Sequence, residues 1–146
     1  MNNKLLYNSN ILYPQWVVGF IDGEGCFHIS VSKNSTMKLG YQVTLEFSIT
    51  QHIRDKELMH KLVVFFGCGY VSSDTSNKLQ FRIRNRNDLA KYLFPFMDNN
   101  LLLTTKALDY ADFKRVHAML DNREHLTPEG LDLIRKIAAS TNRGRK

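Results

Sequence analysis

Residues 17–25 read Val-Val-Gly-Phe-Ile-Asp-Gly-Glu-Gly, and this signature segment is the most informative stretch of the chain. Apolar and small residues lead directly into two carboxylates, Asp22 and Glu24, with glycines between and after them. An unpaired carboxylate is costly to bury, so one that ends an apolar helix usually meets a metal, a cation or a reaction. Residues 26–33 then alternate polar with apolar side chains, as a half-buried strand does. We therefore expect an acidic turn where a buried helix passes into a sheet.

The rest of the chain continues this succession of helices and strands. After a lead-in over residues 1–13, Pro14 suits the first turn of a helix, and clusters of turn residues separate the strands. The predicted elements are a helix over 14–22, strands over 26–33 and 41–50 joined by the polar turn 34–40, a helix over 52–66 ended by Gly67 and Gly69, strands over 70–73 and 78–85 around the turn 74–77, and helices over 88–97 (broken at Pro95), from Thr104 or Thr105 to about residue 120, and over 128–140. The order α, ββ, α, ββ, α, α, α predicts an α+β fold.

The composition is that of one soluble domain, residues 1–146, with a preference for an anionic partner. The chain is 43% hydrophobic and 23% charged, with a formal net charge of +6, and one core suffices at this length. No apolar run reaches the length of a membrane span, so no membrane partner is expected. Cys26 and Cys68 form no CxxC pair, and the five histidines lack zinc-ligand spacing. We therefore expect free thiols in a reducing, intracellular compartment.

One face of the predicted sheet is polar along every long strand. Its amide and guanidinium groups pair bidentately with base edges, and a twisted β-ribbon fits the major groove. We expect this polar face and its turn to bind double-stranded DNA through His28, Ser30, Ser32, Lys33, Asn34, Lys38, Gln42, Thr44, Ser48, Ser72, Lys78, Gln80, Arg82 and Arg84. Glu46 shares the face and would repel phosphate, so it either reads a cytosine amino group or lies off the groove. The alternative to DNA binding is that this polar face only contacts water.

The signature segment resembles that of the LAGLIDADG homing endonucleases. Gly19, Ile21, Asp22 and Gly25 match its consensus, Val17, Phe20 and Glu24 are conservative replacements, and Val18 and Gly23 replace alanines. Supporting features extend from Gln51 to the C-terminal tail, residues 142–146. The resemblance implies an αββαββα core and an intron-encoded enzyme that cleaves a long, pseudo-palindromic DNA site. It also implies a mitochondrion or chloroplast if the host is eukaryotic, and the cytoplasm otherwise.

Phosphodiester hydrolysis needs a positioned water, neutralised phosphate charge and help for the leaving oxygen, which divalent ions can supply. Glu24 is the expected carboxylate ligand for Mg²⁺ or another hard cation such as Mn²⁺. The resemblance implies that the backbone carbonyl of Gly23 is a second ligand. If two copies of Glu24 meet at the twofold axis of a dimer, they would repel each other without metal, so metal and DNA should bind cooperatively.

The resemblance also implies roles for residues outside the signature segment. Asp22 occupies a position that usually stabilises the turn, Gln51 one that orders the attacking water, and Lys106 one that stabilises phosphate charge. A two-residue slip in the alignment would put Thr104 in place of Lys106. Arg54 is the nearest match to a basic residue that some relatives carry after the glutamine, and we expect it to contact DNA. The alternative to these catalytic roles is that Gln51 is only a polar cap and Lys106 only a solvated lysine.

A second reaction centre is needed because one signature supplies one carboxylate and DNA has two strands. Gly19 and Gly23 lie four residues apart on one helix face, so two such helices can pack closely about a twofold axis. We expect a homodimer with Val18, Gly19, Asp22 and Gly23 in its interface, as the resemblance implies for single-signature members. The alternative is that this chain is one half of an enzyme that carries two signatures.

Two other functions fit the same scaffold. One is a maturase that binds intron RNA, and the other is a non-catalytic DNA-binding protein. The presence of Glu24, Gln51 and a candidate lysine favours the nuclease without excluding a dual role.

Overall fold

The structure is a computed structural model, and it describes residues 11–73 and 76–145. Most of the predicted lead-in, 1–13, and half of the predicted turn, 74–77, lie outside the described residues. The elements are α1 (Pro14–Glu24), β1 (Gly25–Lys33), β2 (Tyr41–His52), α2 (Lys56–Phe66), β3 (Tyr70–Ser73), β4 (Lys78–Ile83), α3 (the consecutive segments Arg86–Asp88, Leu89–Leu93 and Phe94–Asn99), α4 (Lys106–Asp121) and α5 (Pro128–Ala139), with short 3-10 turns at Ile53–Asp55, Glu124–Leu126 and Asn142–Gly144. The predicted α+β order is confirmed.

The four strands form one antiparallel sheet in the order β1-β2-β4-β3. The long strand β2 lies in the middle, pairing with β1 through Phe27 opposite Phe47 and with β4 through Phe47 opposite Ile83. Strands β1 and β3 are therefore the two edges of the sheet.

The helices cover the apolar face of this sheet, as the period-two alternation predicts. Phe27, Phe47 and Phe81 are fully buried there. Phe113 of α4 packs edge-on against Phe27, with ring centroids 5.5 Å apart. No helix within the described residues is both long and apolar enough to cross a membrane. The opposite face carries the polar side chains.

Helix α1 continues two residues beyond its predicted end at Ile21-Asp22 and stops at Glu24. Gly23 does not end it, and the chain turns extended only at Gly25, whose N–H caps the carbonyl of Ile21. A Cβ atom on Gly25 would lie 2.8 Å from that carbonyl oxygen, so the direct passage from helix to strand requires glycine.

Helix α3 differs from its prediction because Pro95 does not break it. Asn85 caps its start, accepting hydrogen bonds from the backbone N–H groups of Asn87 (2.9 Å) and Asp88 (3.1 Å). The segment Leu89–Leu93 has the wide π-helical turn, and Pro95 follows in the first turn of Phe94–Asn99. A proline tolerates that position because no N–H is required there.

Candidate active site and nucleic-acid interface

Glu24 lies in a cleft at the junction of α1 and the sheet. The cleft has a volume of about 350 Å³ and is lined by Glu24, Thr50, Gln51, His52 and Lys78. Strand pairing creates it, because Gly25 lies opposite Ile49 and His52 lies opposite Lys78. The fold thus brings together Glu24 and Gln51, which are 27 positions apart in the sequence.

Lys106 does not line this cleft. Its Nζ donates a hydrogen bond to the backbone carbonyl of Ile21 at 3.1 Å, inside the junction of α1 and α4. Thr104, the alternative candidate, does not line the cleft either, because its hydroxyl donates to Asp22 and accepts from the backbone N–H of Lys106 at 3.3 Å. Lys78 therefore supplies the positive charge in the cleft.

Lys78 and His52 are cleft residues that the sequence did not indicate as such. Lys78 was expected only as a DNA contact of the polar face, and His52 as the start of a helix. Strand β2 instead extends through His52, whose Nδ1 accepts a hydrogen bond from the backbone N–H of Arg54 at 3.1 Å. Only the register between β2 and β4 places them beside Glu24.

Asp22 fastens the end of α1 to the segment before α4. Its carboxylate accepts hydrogen bonds from the backbone N–H groups of Leu103 at 2.8 Å and Thr104 at 3.2 Å, and from the Thr104 hydroxyl. Burial alone would raise the pKa of Asp22, but these hydrogen bonds and the charge of Lys106 outweigh it and lower the pKa below 3.8. The ionised carboxylate thus fixes the position of the residues next to Glu24.

The donors around Glu24 suit a hard cation that is shared with a phosphate. Within residues 11–73 and 76–145, no group of three His, Cys, Asp or Glu side chains forms a ready-made metal cage. Glu24 offers one exposed carboxylate, and the carbonyl of Gly23 belongs to the last helical turn, where carbonyls lack intrahelical donors. Mg²⁺ is typically held by one or two carboxylates plus substrate phosphates. The residues present fit this kind of site.

The polar face is continuous across the four strands. Strand pairing aligns Cys26 with Ser48, Arg82 and Tyr70, His28 with Glu46, Ser30 with Thr44, Ser32 with Gln42, and Thr50 with Gln80 and Ser72. Lys78 begins β4, and Arg84 directly follows its last residue. Lys33, Asn34 and Lys38 lie at the β1–β2 hairpin, and Arg54 lies in the 3-10 turn after β2. The residues expected to contact DNA thus occupy one face and its two ends, except that Arg54 lies beyond the sheet.

Helix α1 presents a bare face to solvent. A Cβ atom on Gly19 or Gly23 would meet no atom of the described chain within 4 Å. Trp16, on the same helix face, and Leu103, bonded to Asp22, are 46% and 92% exposed. Val18, also expected in a dimer interface, is 7% exposed and packs in the core of its own chain.

The C-terminal strap, residues 140–145, closes the free edge of β1. The Asn142 side chain donates to the carbonyl of Phe27 at 2.7 Å, and its backbone N–H donates to buried Asp109 at 3.0 Å. Arg145 pairs with Asp109 at 2.8 Å and also with Asp112. The strap brings Arg143 to a cavity of about 470 Å³ beside Cys26 and His28.

The family follows from comparison with known proteins. The model of the LAGLIDADG endonuclease family matches residues 17–117, which is more than half of the chain. The chain therefore belongs to the LAGLIDADG endonuclease family.

Among its relatives, "Probable intron-encoded endonuclease 2" of Neurospora crassa is 38% identical over 146 residues, covering 96% of this chain and 31% of that protein. "DNA endonuclease I-CreI" of Chlamydomonas reinhardtii is 30% identical over 99 residues, covering 66% of this chain and 58% of that protein. The chain thus spans only about a third of the length of the Neurospora relative.

Solved structures show the same fold. The crystal structure of the homing endonuclease I-TnaI is 47% identical, with a TM-score of 0.86, covering 90% of this chain and 88% of that chain. The meganuclease I-SmaMI bound to uncleavable DNA is 36% identical, with a TM-score of 0.91, covering 95% of this chain and 47% of that chain.

Proposed function

We propose that this protein is an intron-encoded homing endonuclease that cleaves both strands of a long, pseudo-palindromic DNA site with Mg²⁺ or a similar hard cation such as Mn²⁺. The observation that carries this proposal is the cleft shared by Glu24, Gln51 and Lys78 at the end of the polar face. A DNA strand lying on that face would run past the carboxylate. I-SmaMI has been solved bound to uncleavable DNA and with calcium ions, which supports the same chemistry.

The residues of the cleft divide the work of hydrolysis. The Glu24 carboxylate and the Gly23 carbonyl would hold the divalent ion, which when bound neutralises phosphate charge and lowers the pKa of a coordinated water. The Gln51 amide orients the attacking water by hydrogen bonding. Lys78 presents a positive charge to the phosphate as negative charge grows on it, which is the effect of a preorganised donor.

The polar face supplies sequence recognition. A strand of about nine residues at roughly 3.3 Å each spans about 30 Å. At roughly 3.4 Å per base pair, this length covers about nine base pairs. Two such faces side by side would cover about twenty base pairs. The net charge of +6 adds attraction for phosphate that does not depend on sequence.

We infer that the second reaction centre comes from a second copy of this chain. The bare glycine face of α1 supports close helix packing, and the neighbouring Trp16 and Leu103 offer apolar surface to bury. The matched chain of I-TnaI is of nearly this length, which supports a homodimer. The matched chain of I-SmaMI is about twice as long, which supports the alternative of two signatures in one chain.

The proposed setting is an organelle of a eukaryote. Relatives are named for introns, including a protein "in ND4 intron 1" of Podospora anserina, 36% identical over 118 residues.

The proposal is tested by incubating the purified protein with a library of randomised DNA duplexes, with Mg²⁺ and with a chelator. We expect double-strand cleavage with Mg²⁺ and none with the chelator. The cleaved sites should form one family, about twenty base pairs long, with two related halves. Cleavage that persists in chelator would contradict the metal assignment. A protein that selects a DNA site and leaves it intact with Mg²⁺ would be the non-catalytic alternative.

A further inference from the structure

Glu46 is the one acidic side chain among the described residues that lie on the polar face of β1–β4. Such a group repels the phosphates that the face would approach. Two expectations for Glu46 are a cytosine contact and a position off the groove, and its intrachain contacts suggest a third role. Glu46 Oε1 lies 3.3 Å from Nε of Arg82, and its Oε2 lies 3.4 Å from Nε of Arg84. The carboxylate thus bridges Arg82 of β4 and Arg84, which directly follows that strand.

The three side chains form a partly buried network in the middle of the face. The Glu46 side chain is 17% exposed and that of Arg82 is 29% exposed, whereas Arg84 is 49% exposed. Arg82 also donates from Nη2 to the amide oxygen of Gln80. The Nε of Arg82 is buried and makes no hydrogen bond within the described residues, so its link to Glu46 is an ion pair across 3.3 Å.

This arrangement fixes the direction of the guanidinium groups. A guanidinium has five N–H donors in one rigid plane. Glu46 lies beside the Nε of both arginines and Gln80 accepts from Nη2 of Arg82, so the donors left for DNA include Nη1 of Arg82 and the Nη groups of Arg84. A pair of such donors binds O6 and N7 of guanine, the most frequent specific contact in the major groove.

We propose that Glu46 is a positioning residue that sets sequence specificity, by holding Arg82 and Arg84 ready to read guanine. This inference rests on the proposed binding of DNA by the polar face. Pre-ordered arginines lose less conformational freedom when they bind their bases. The negative charge of Glu46 also weakens attraction to phosphate at sequences that offer no guanine, so wrong sites are disfavoured.

The test compares the wild type with Glu46→Gln and with Glu57→Gln. Glu57 lies exposed on α2, so its substitution removes the same charge away from the sheet. A randomised library first identifies the preferred site of the wild type, and Kd is then measured for that site, for its single-base variants and for scrambled DNA. Thermal unfolding monitors the fold of each variant.

We expect Glu46→Gln to bind scrambled DNA several-fold tighter and to discriminate roughly tenfold less at the guanine positions. Glu57→Gln should keep the discrimination of the wild type. Full guanine discrimination by folded Glu46→Gln would overturn the proposal. So would loss of a preference for cytosine with the guanine preferences intact, because Glu46 would then read a base itself.

Arg82→Lys provides a second variant if Glu46→Gln does not fold. This substitution keeps the positive charge and removes the planar guanidinium that can donate two hydrogen bonds to one base. We expect the variant to lose its preference at one guanine while its Kd for scrambled DNA stays unchanged. An unaltered preference would again overturn the proposal. A wild-type protein that binds no duplex would instead refute the proposed function, so the two failures are distinguishable.

Discussion

Asp22 and Thr104 are joined by two hydrogen bonds, in which the backbone N–H and the hydroxyl of Thr104 both donate to the same carboxylate oxygen. The pair connects the last turn of α1 to the start of α4 across 82 positions of sequence. Lys106 strengthens the same junction by donating to the carbonyl of Ile21. The position of Glu24, two residues after Asp22, therefore depends on a network whose members Asp22, Thr104 and Lys106 do not line the cleft.

The Asp22 network predicts a loss of stability that depends on pH. Asp22→Asn should lower the free energy of unfolding by roughly 1–3 kcal/mol near neutral pH, because hydrogen bonds to a charged acceptor are lost. Since the pKa of Asp22 is lowered in the folded state, its contribution is complete above the unfolded-state pKa and is lost as pH falls through the folded-state pKa. Urea denaturation between neutral pH and about pH 3 measures the difference.

We expect the gap between wild type and Asp22→Asn to narrow below the unfolded-state pKa of 3.8. The exposed Asp132 of α5 provides the control, because Asp132→Asn should change stability by less than about 0.5 kcal/mol. A gap that stays constant or widens in acid would be inconsistent with an ionised Asp22 in this network.

The positions of Lys78 and Lys106 predict that Lys78 affects the rate of cleavage and Lys106 affects mainly stability. Lys78→Ala should slow single-turnover cleavage at least tenfold with a smaller change in Kd, because it removes charge stabilisation at the reacting phosphate. Lys106→Met should lower stability by about 1 kcal/mol, the value of one hydrogen bond, and slow cleavage less than Lys78→Ala. If a folded Lys106→Met variant is inactive while Lys78→Ala cleaves normally, Lys106 is the phosphate-stabilising group after all.

The open face of α1 predicts the effect of a side chain at Gly19. Gly19→Glu should leave the monomer folded, because nothing lies within 4 Å of the added Cβ, but it should prevent close helix packing and place two charges at the axis. Sedimentation velocity should show a dimer for the wild type and a monomer for this variant. Ala111→Glu on the exposed side of α4 is the matched control and should remain dimeric. A wild-type monomer would favour two signatures in one longer chain.

The ion pair between Arg145 and Asp109 predicts that removing Arg145 loosens the C-terminal strap. Arg145→Ala should lower stability, because Asp109 is buried and would lose its cationic partner. Hydrogen exchange at the Asn142 amide should accelerate. Lys136→Ala breaks an ion pair of exposed side chains on α5 and should cost no more than about 0.5 kcal/mol. Equal effects from the two substitutions would mean that the strap is not held by Asp109.

The elements with a clear local signal were predictable. The period-two alternation of β1, β2 and β4 identified their buried faces, and Thr127-Pro128 identified the start of α5, where the Thr127 hydroxyl accepts from the Gly130 N–H. The burial of Val18 also has a local signal, because Val18 is one residue from Gly19 and hence about 100° around the helix from the exposed glycine face.

The contents of the cleft and the network of Glu46 could not be predicted from local patterns. Lys78 faces Glu24 only because β4 pairs with β2 in the register that sets His52 opposite Lys78. The same register brings Arg82 and Arg84 to Glu46. Register between strands joined through a helix depends on packing of the whole domain, so no short stretch of sequence determines it.

The central claim, that Glu24 performs cleavage in a cleft at the end of a DNA-binding face, is tested most directly by Glu24→Gln. The substitution keeps the size and hydrogen-bonding capacity of the side chain and removes its charge. On the preferred site with Mg²⁺, we expect this variant to bind DNA with nearly the Kd of the wild type and not to cleave it. Cleavage at the wild-type rate would contradict it.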